Sequence, residues 1–229
     1  MISLTVSEIA RIVDGAIEGG LNPDLVVTQY PVIDSRLASP HNFFVAFRGE
    51  HADGHAFAQA AVTAGSPFAL VSSSVSTPSI RVEDVVVALS RLAHYVREQL
   101  PELKVVGITG SQGKTTTKDL LGHILMTAGE TVVPEGSLNN EIGLPLTLLR
   151  ATTTTQFCIL EMGARHKGDI SHLVKMAKPN VGAVLVVGSA HLGEFGSRQE
   201  IAETKGEMVA ELSPGLLQYW EVMMNSRRI

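Results

Sequence analysis

KVVGITGSQGKTTTKDLLGHILM, residues 104 to 126, is the stretch whose reading decides the fold. Four of its first six residues, Val105, Val106, Ile108 and Thr109, are β-branched and predict a buried strand. Leu120, Leu121, Ile124 and Leu125 recur at helical spacing. Between strand and helix lie Gly110, Ser111, Gln112, Gly113, Lys114, Thr115 and Thr116. A strand that breaks at glycines and re-enters as a helix aims successive backbone N–H groups, and the positive end of the helix dipole, at one point. That point suits a phosphate. Gly110 and Gly113 permit positive φ and let an anion approach the backbone without a Cβ in the way. Lys114 would bring charge to terminal phosphates and Thr115 a hydroxyl to Mg²⁺. The full phosphate-loop pattern has a glycine five residues before Gly113, where this chain has Ile108. The match is therefore to a shorter form, GxxGKT, and placement between strand and helix supplies its specificity. The competing reading is a glycine turn carrying a solvated lysine.

A chain of 229 residues can bury a real core in one large or two small domains. Hydrophobic residues at 45% with 18% charged are ordinary for a soluble α/β protein. The longest apolar run, Val181 to Val187 with its neighbours, is too short to span a bilayer. The N-terminus has no basic region followed by an apolar one, so the expectation is a cytoplasmic protein. Net charge is -5, and Lys and Arg form no block beyond Arg227-Arg228, which argues against general nucleic-acid binding. Any anionic ligand must be held locally. The one cysteine, Cys158, lies in the apolar run FCILEM and reads as a small buried hydrophobe rather than a nucleophile.

From the N-terminus, Thr5-Val-Ser-Glu8 is a capping-box pattern ahead of Ile9, Ile12 and Val13, with Gly15 expected to close the helix. Extended segments are expected at 26–34 and 42–48, a helix at 56–64, a strand at 68–71 and a further strand after Thr77-Pro78-Ser79. A helix over 85–100 ends at Pro101, which places a domain boundary at residues 98 to 103. Beyond the central stretch, strands at 131–133, 157–162 and 181–187 alternate with helices at 144–150, 170–176 and 199–212. That alternation predicts a mostly parallel sheet covered on both faces, with ligands at the carboxyl ends of its strands. Gly110 to Thr115, Asn139-Asn140-Glu141, Glu161 and His191 all follow such ends.

Glu161 closes a strand and could bind Mg²⁺, or stand as a solvated strand-end carboxylate. His191 suits Mn²⁺ better than Mg²⁺, and a hydrogen-bonding loop histidine is the equal alternative. Lys205 reads by default as a surface lysine. His51-Ala-Asp-Gly-His55 offers three possible metal ligands, yet Gly54 interrupts any helix that would align them, so a loop is preferred. Asp34-Ser35-Arg36 either grips an anionic or uracil-like group or forms a turn in which Asp34 caps backbone amides.

Together these segments resemble the Mur ligase family over residues 1 to about 213. The carriers are DSR at 34–36, FVAFRGEHADGHAF at 44–57, GITGSQGKTTTK at 107–118, SLNNEIGLPLTLL at 137–149, EMGARHKGDI at 161–170, AHLGEFGS at 190–197 and KGE at 205–207. SLNNEIG and EMGARHKGDI point to members that add D-alanyl-D-alanine to UDP-N-acetylmuramoyl-tripeptide. The resemblance implies a small N-terminal α/β domain, residues 1–100, holding the UDP-sugar with Ser35 and Arg36. It also implies a partial phosphate-loop domain over 101–213. There Gly110 to Thr116, with Asn139 and Asn140, would hold ATP, Thr115 and Glu161 one Mg²⁺, and His191 a second metal. Lys205 aligns with a lysine that relatives carbamylate. Lys114, Glu161, His191 and Lys205 would serve the chemistry, an amide ligation through an acyl phosphate.

One departure stands out. After Pro214-Gly215 the chain reads LLQYWEVMMNSRRI, with the only Trp and two of seven Met, where the resemblance leads one to expect more of the central domain and a third domain. Residues 214–229 are therefore read as a tail foreign to the family, from a frameshifted or truncated product, leaving an incomplete sheet. The functional alternative is an inactive fragment that keeps only nucleotide or UDP-sugar binding. A folate polyglutamylating ligase would lack SLNNEIG and the DSR domain, and a regulatory GTPase would need an Asn-Lys-x-Asp segment that is absent.

Overall fold

The computed structural model describes residues 1–49, 52–188, 197–212 and the backbone of 217–220. The chain divides into two compact units, residues 1–99 with 149–153, and 100–148 with 154–229.

In the first unit, β1 (Leu4–Thr5) leads directly into α1 (Val6–Val13). Both halves of the capping box form: the Glu8 N–H donates to the Thr5 side chain, and the Thr5 N–H donates to the Glu8 carboxylate at 2.7 Å. The helix closes differently from the sequence expectation. Asp14, not Gly15, takes the left-handed conformation at φ 58, and Gly15 then donates to the Ala10 carbonyl. Next come β2 (Ala16–Glu18), β3 (Val26–Val27), a 3-10 turn at Ser35–Leu37 and β4 (Phe44–Val45). The extended segments expected at 26–34 and 42–48 thus hold only short ladders, joined by an isolated Val32 to Phe44 bridge. Pro31, which has no N–H to give a ladder, lies between.

A 3-10 turn at Gly54–Phe57, α2 (Ala58–Thr63), β5 (Ala69–Val71), β6 (Ser79–Arg81) and α3 (Val85–Glu98) complete the unit. The sheet order is β2-β6-β5-β4, antiparallel only at β2–β6, with β1 and β3 paired separately. Its core joins Val32, Phe44, Ala46, Ala58, Ala61, Ala69 and Val71, and the Phe43 and Phe68 rings stack at 4.9 Å.

The second unit contains β7 (Lys104–Thr109), α4 (Lys114–Met126), β8 (Thr131–Val132), α5 (Gly143–Leu148), β9 (Phe157–Glu161), α6 (Asp169–Ala177), β10 (Val181–Val184), α7 (Arg198–Ala210) and β11 (Leu217–Trp220). All five strands are parallel in the order β11-β10-β7-β9-β8. Connections leave β7 toward β8 on one side, while β10 and β11 lie on the other. A crevice at the carboxyl end of β7 is the outcome. The tail set apart from residue 214 onward thus includes a stretch, Leu217–Trp220, whose backbone extends the sheet alongside β10.

Helix α7 crosses closely over β7 and β10. A Cβ on Gly107 would lie 3.2 Å from Cε of Met208, and one on Gly182 would lie 3.1 Å from Cγ of the same residue. No described helix is long and apolar enough to cross a membrane.

Candidate functional site

The site begins where β7 stops. Gly113 has φ +83, which L side chains rarely adopt, and α4 starts at the next residue with no side chain capping its first turn. Gly110 needs glycine for want of space. It does not take positive φ; a Cβ there would lie 2.8 Å from Cβ of Leu185. That neighbour belongs to the apolar run after β10, which ends its ladder at Val184 rather than Val187. The run then wraps the loop: Leu185 donates to the Thr109 carbonyl, Ser111 N–H to Val186 O, and Gly188 N–H to Ser111 Oγ at 3.0 Å.

Parallel pairing aligns Ile108 with Glu161, so the end of β9 stands beside the loop. Glu161 is 1% exposed. One carboxylate oxygen accepts the Thr115 hydroxyl at 3.0 Å and the other the Asn139 side-chain amide at 2.9 Å. The solvated strand-end alternative for Glu161 is therefore overturned: the carboxylate is buried and bonded from both sides. Thr115 and Glu161 offer adjacent oxygen donors, a set that fits a hard divalent cation completed by phosphate and water. His191 and His51 lie outside the described residues. Lys114 Nζ donates to the Gly110 carbonyl at 2.9 Å, holding its charge over the loop. Asn140 has a local task, its side chain accepting the N–H groups of Ile142 and Gly143 at the start of α5.

A cavity of about 460 Å³ opens here, lined by Gly110, Lys114, Asn139, Asn140, Glu141, Gly163 and, opposite, Arg165, His166, His172 and Lys205. Lys205 is no surface lysine; it is 4% exposed on α7. Burial first, and the charge of Lys114 second, lower its amine from 10.5 to about 8. Among the predicted site residues, those of the phosphate loop, Asn139, Asn140, Glu161 and Lys205 come together in this unit.

Sequence reasoning missed several residues around the cavity. Glu207, two residues after Lys205, accepts the N–H groups of Gly168 at 2.8 Å and Ser171 at 3.0 Å, capping α6 from another helix. Asp169 accepts the N–H groups of Arg165 and His166, both at 2.8 Å. Lys118 is 3% exposed. The KGE and RHKGD runs carried the first two as letters; Asp169 bonds within its own run, whereas nothing local marked the partners of Glu207.

Ser35 and Arg36 lie in the other unit. Asp34 accepts the Arg36 N–H at 3.0 Å and its Nε at 2.9 Å, and the guanidinium holds the Asp34 carboxyl down to about 2. The turn reading of DSR is thus present, with Arg36 largely exposed and its fork folded onto Asp34. In HADGH, Asp53 caps the 3-10 turn, and His55 Nε2 accepts the Ser72 N–H at 2.9 Å. That bond leaves the proton on Nδ1, facing Asp53, so His55 serves as a structural latch.

The Mur ligase middle domain family matches residues 108–225, a span that includes much of the compositionally distinct tail. The UDP-N-acetylmuramoyl-tripeptide--D-alanyl-D-alanine ligase of Mycobacterium bovis is 45% identical over 91% of this chain and 46% of its own length. The Escherichia coli ligase of the same name is 39% identical over 93% of the chain and 46% of its length. Among solved structures, MurF from Acinetobacter baumannii superposes with TM-score 0.87 at 35% identity, covering 94% of this chain and 48% of that one. MurF ligase from Thermotoga maritima in complex with ADP gives 0.75 at 36% identity, covering 83% and 45%. The chain spans about half the length of the curated relatives it matches.

Proposed function

The chain belongs to the Mur ligase family, and from that premise we propose that it takes part in ATP-dependent ligation of D-alanyl-D-alanine to UDP-N-acetylmuramoyl-tripeptide. The observation that carries the reading is the grip of Thr115 and Asn139 on the buried Glu161 beside an uncapped helix N-terminus. The relatives' names supply the substrates.

The chemistry has a definite requirement. A peptide carboxylate is a poor electrophile and repels a triphosphate, so its oxygen must be activated before an amine can attack. In the proposed sequence the carboxylate oxygen attacks the γ-phosphorus and the bond to the β-phosphate oxygen breaks, giving an acyl phosphate and ADP. The dipeptide amine then attacks the acyl carbon, phosphate leaves, and the amine proton is lost as the amide forms. The N–H groups around Gly113 and the Lys114 ammonium would hold the phosphates and offset their charge. Mg²⁺, held by Thr115 and Glu161, would supply further charge neutralisation on the phosphates. Asn139 would keep Glu161 turned toward that task. Asn140 would contact ATP from the same loop, and His191 would hold a second metal.

Lys205 would act after carbamylation. The ammonium would first lose a proton, the freed lone pair would add to CO₂ with loss of a second proton, and a carboxylate able to bind metal would stand where the cation was. The cationic side chains of Lys114 and Arg165, which line the same cavity, would favour that anion. Ser35 and Arg36 would hold the UDP portion in the first unit, with Arg36 offering the donors that Asp34 leaves over.

The test is phosphate release from ATP by the purified chain, with each substrate omitted in turn. Release that requires both UDP-N-acetylmuramoyl-tripeptide and D-alanyl-D-alanine is expected, and release indifferent to either would sink the ligase reading. A second reading assigns the two units ligand binding alone. In it the span binds nucleotide and UDP-sugar without turnover, and it is the one supported if binding is measured but no phosphate appears.

A further inference from the structure

We infer that Lys118 is a positioning residue that sets the phosphate loop at a fixed distance from the Asn139 wall of the cavity; the inference rests on the nucleotide reading of that cavity. Lys118 lies one helical turn after Lys114, where a lysine would ordinarily be solvated. Instead it is 3% exposed, and its three donors meet three acceptors: Pro134 O at 3.0 Å, Gly136 O at 3.2 Å and Asp119 Oδ1 at 3.0 Å. An ammonium is a compact charge that converging carbonyls can surround, much as they would a metal ion.

The two carbonyls belong to the connection between β8 and α5. That stretch has no ladder of its own and turns at Gly136, φ +58. Three residues on, Asn139 donates to Glu161, and its carbonyl accepts the Gly163 N–H at 2.7 Å. Thr115 and Lys118, three apart, share a face of α4. Thr115 holds one oxygen of Glu161, while Lys118 holds the segment whose Asn139 holds the other. The contacts therefore close a ring through α4, the loop and the strand end. Lys118 is the charged link in that ring. Removing it frees the loop, and Glu161 loses its orientation toward the cation site, whereas the backbone phosphate cradle, built by Gly110 to Thr115, is untouched.

The experiment compares the full chain with K118M, close in volume but without charge or donors, and with K118Q, which keeps a shorter donor. Amide exchange is followed by mass spectrometry, and ADP binding by calorimetry with and without Mg²⁺. In K118M, exchange over 134–142 should rise about tenfold while β7 and α1 stay unchanged. The ADP dissociation constant measured with Mg²⁺ should weaken about tenfold, as for loss of a residue that orients a metal ligand. Without Mg²⁺ it should move less than about twofold. K118Q should fall between, and it decides the matter alone if K118M does not fold. Unchanged exchange over 134–142, or a rise spread evenly through the chain, would overturn the inference. So would equal losses of affinity with and without Mg²⁺. Failure of the wild-type chain to bind ADP would count against the nucleotide reading, and the exchange comparison would still judge Lys118.

Discussion

Gly113 and Lys205 show how much one residue's surroundings decide. At φ +83 an alanine would be forced into left-handed backbone, so G113A should cost about 1 to 2 kcal/mol of stability, read as a lowered urea midpoint. A loss below the error of the melt would mean that the loop relaxes to another conformation. Lys205 makes a prediction with a sign. Its folded value near 8 lies below the unfolded 10.5, so between those pH values the unfolded chain binds the extra proton. Unfolding free energy should therefore rise with pH from about 8 to 10.5, by at most on the order of 3 kcal/mol, and the rise should vanish in K205M. Urea melts of both proteins across that window check it. Parallel curves would place the titration elsewhere.

Among the elements, α1 was legible because its signal is local: Thr5 and Glu8 stand three apart and bond each other. T5A should cost about 1 kcal/mol, visible as a lower melting temperature, with Glu8 unable to compensate alone. The turn between β7 and α4 was legible for the same reason, since strand, glycines and helix follow directly in sequence. The face of α4 was not. Its apolar spacing predicts a helix correctly, yet Leu120 and Ile124 are each more than 60% exposed while Lys118 and Gly122 are buried. Gly122 is buried because the helix comes so near the strand layer that a Cβ would lie 2.9 Å from Val133. Such closeness is a tertiary fact that periodicity does not carry. Glu207 was hidden likewise, its partners being about 40 residues away in sequence at Gly168 and Ser171. E207Q, which keeps the shape but lowers the acceptor charge, should destabilise the chain by about 1 kcal/mol and raise amide exchange at the start of α6 first.

At the scale of the whole molecule, the described residues proposed to hold phosphate all fall in the unit of 100–148 and 154–229, whereas Ser35 and Arg36 fall in the other. A ligand that binds only native protein stabilises it by RT ln(1 + [L]/Kd), about 2.7 kcal/mol at a hundredfold excess over Kd. Opening that exposes the bound site becomes rarer by the corresponding factor, so protection reports where the ligand sits. Mg-ADP should therefore slow amide exchange most strongly over 109–117 and 161–163. UDP should do so over 34–37, where the Asp34 cap already orders the turn. Each ligand thereby tests one half of the functional reading on the same protein. If UDP instead protects the phosphate loop, it is being held as a generic polyphosphate, and the assignment of Ser35 and Arg36 fails while that of Lys114 and Thr115 stands. If Mg-ADP protects neither stretch, the uncapped start of α4 is not an anion site in this chain, and the ligase chemistry has no place to begin.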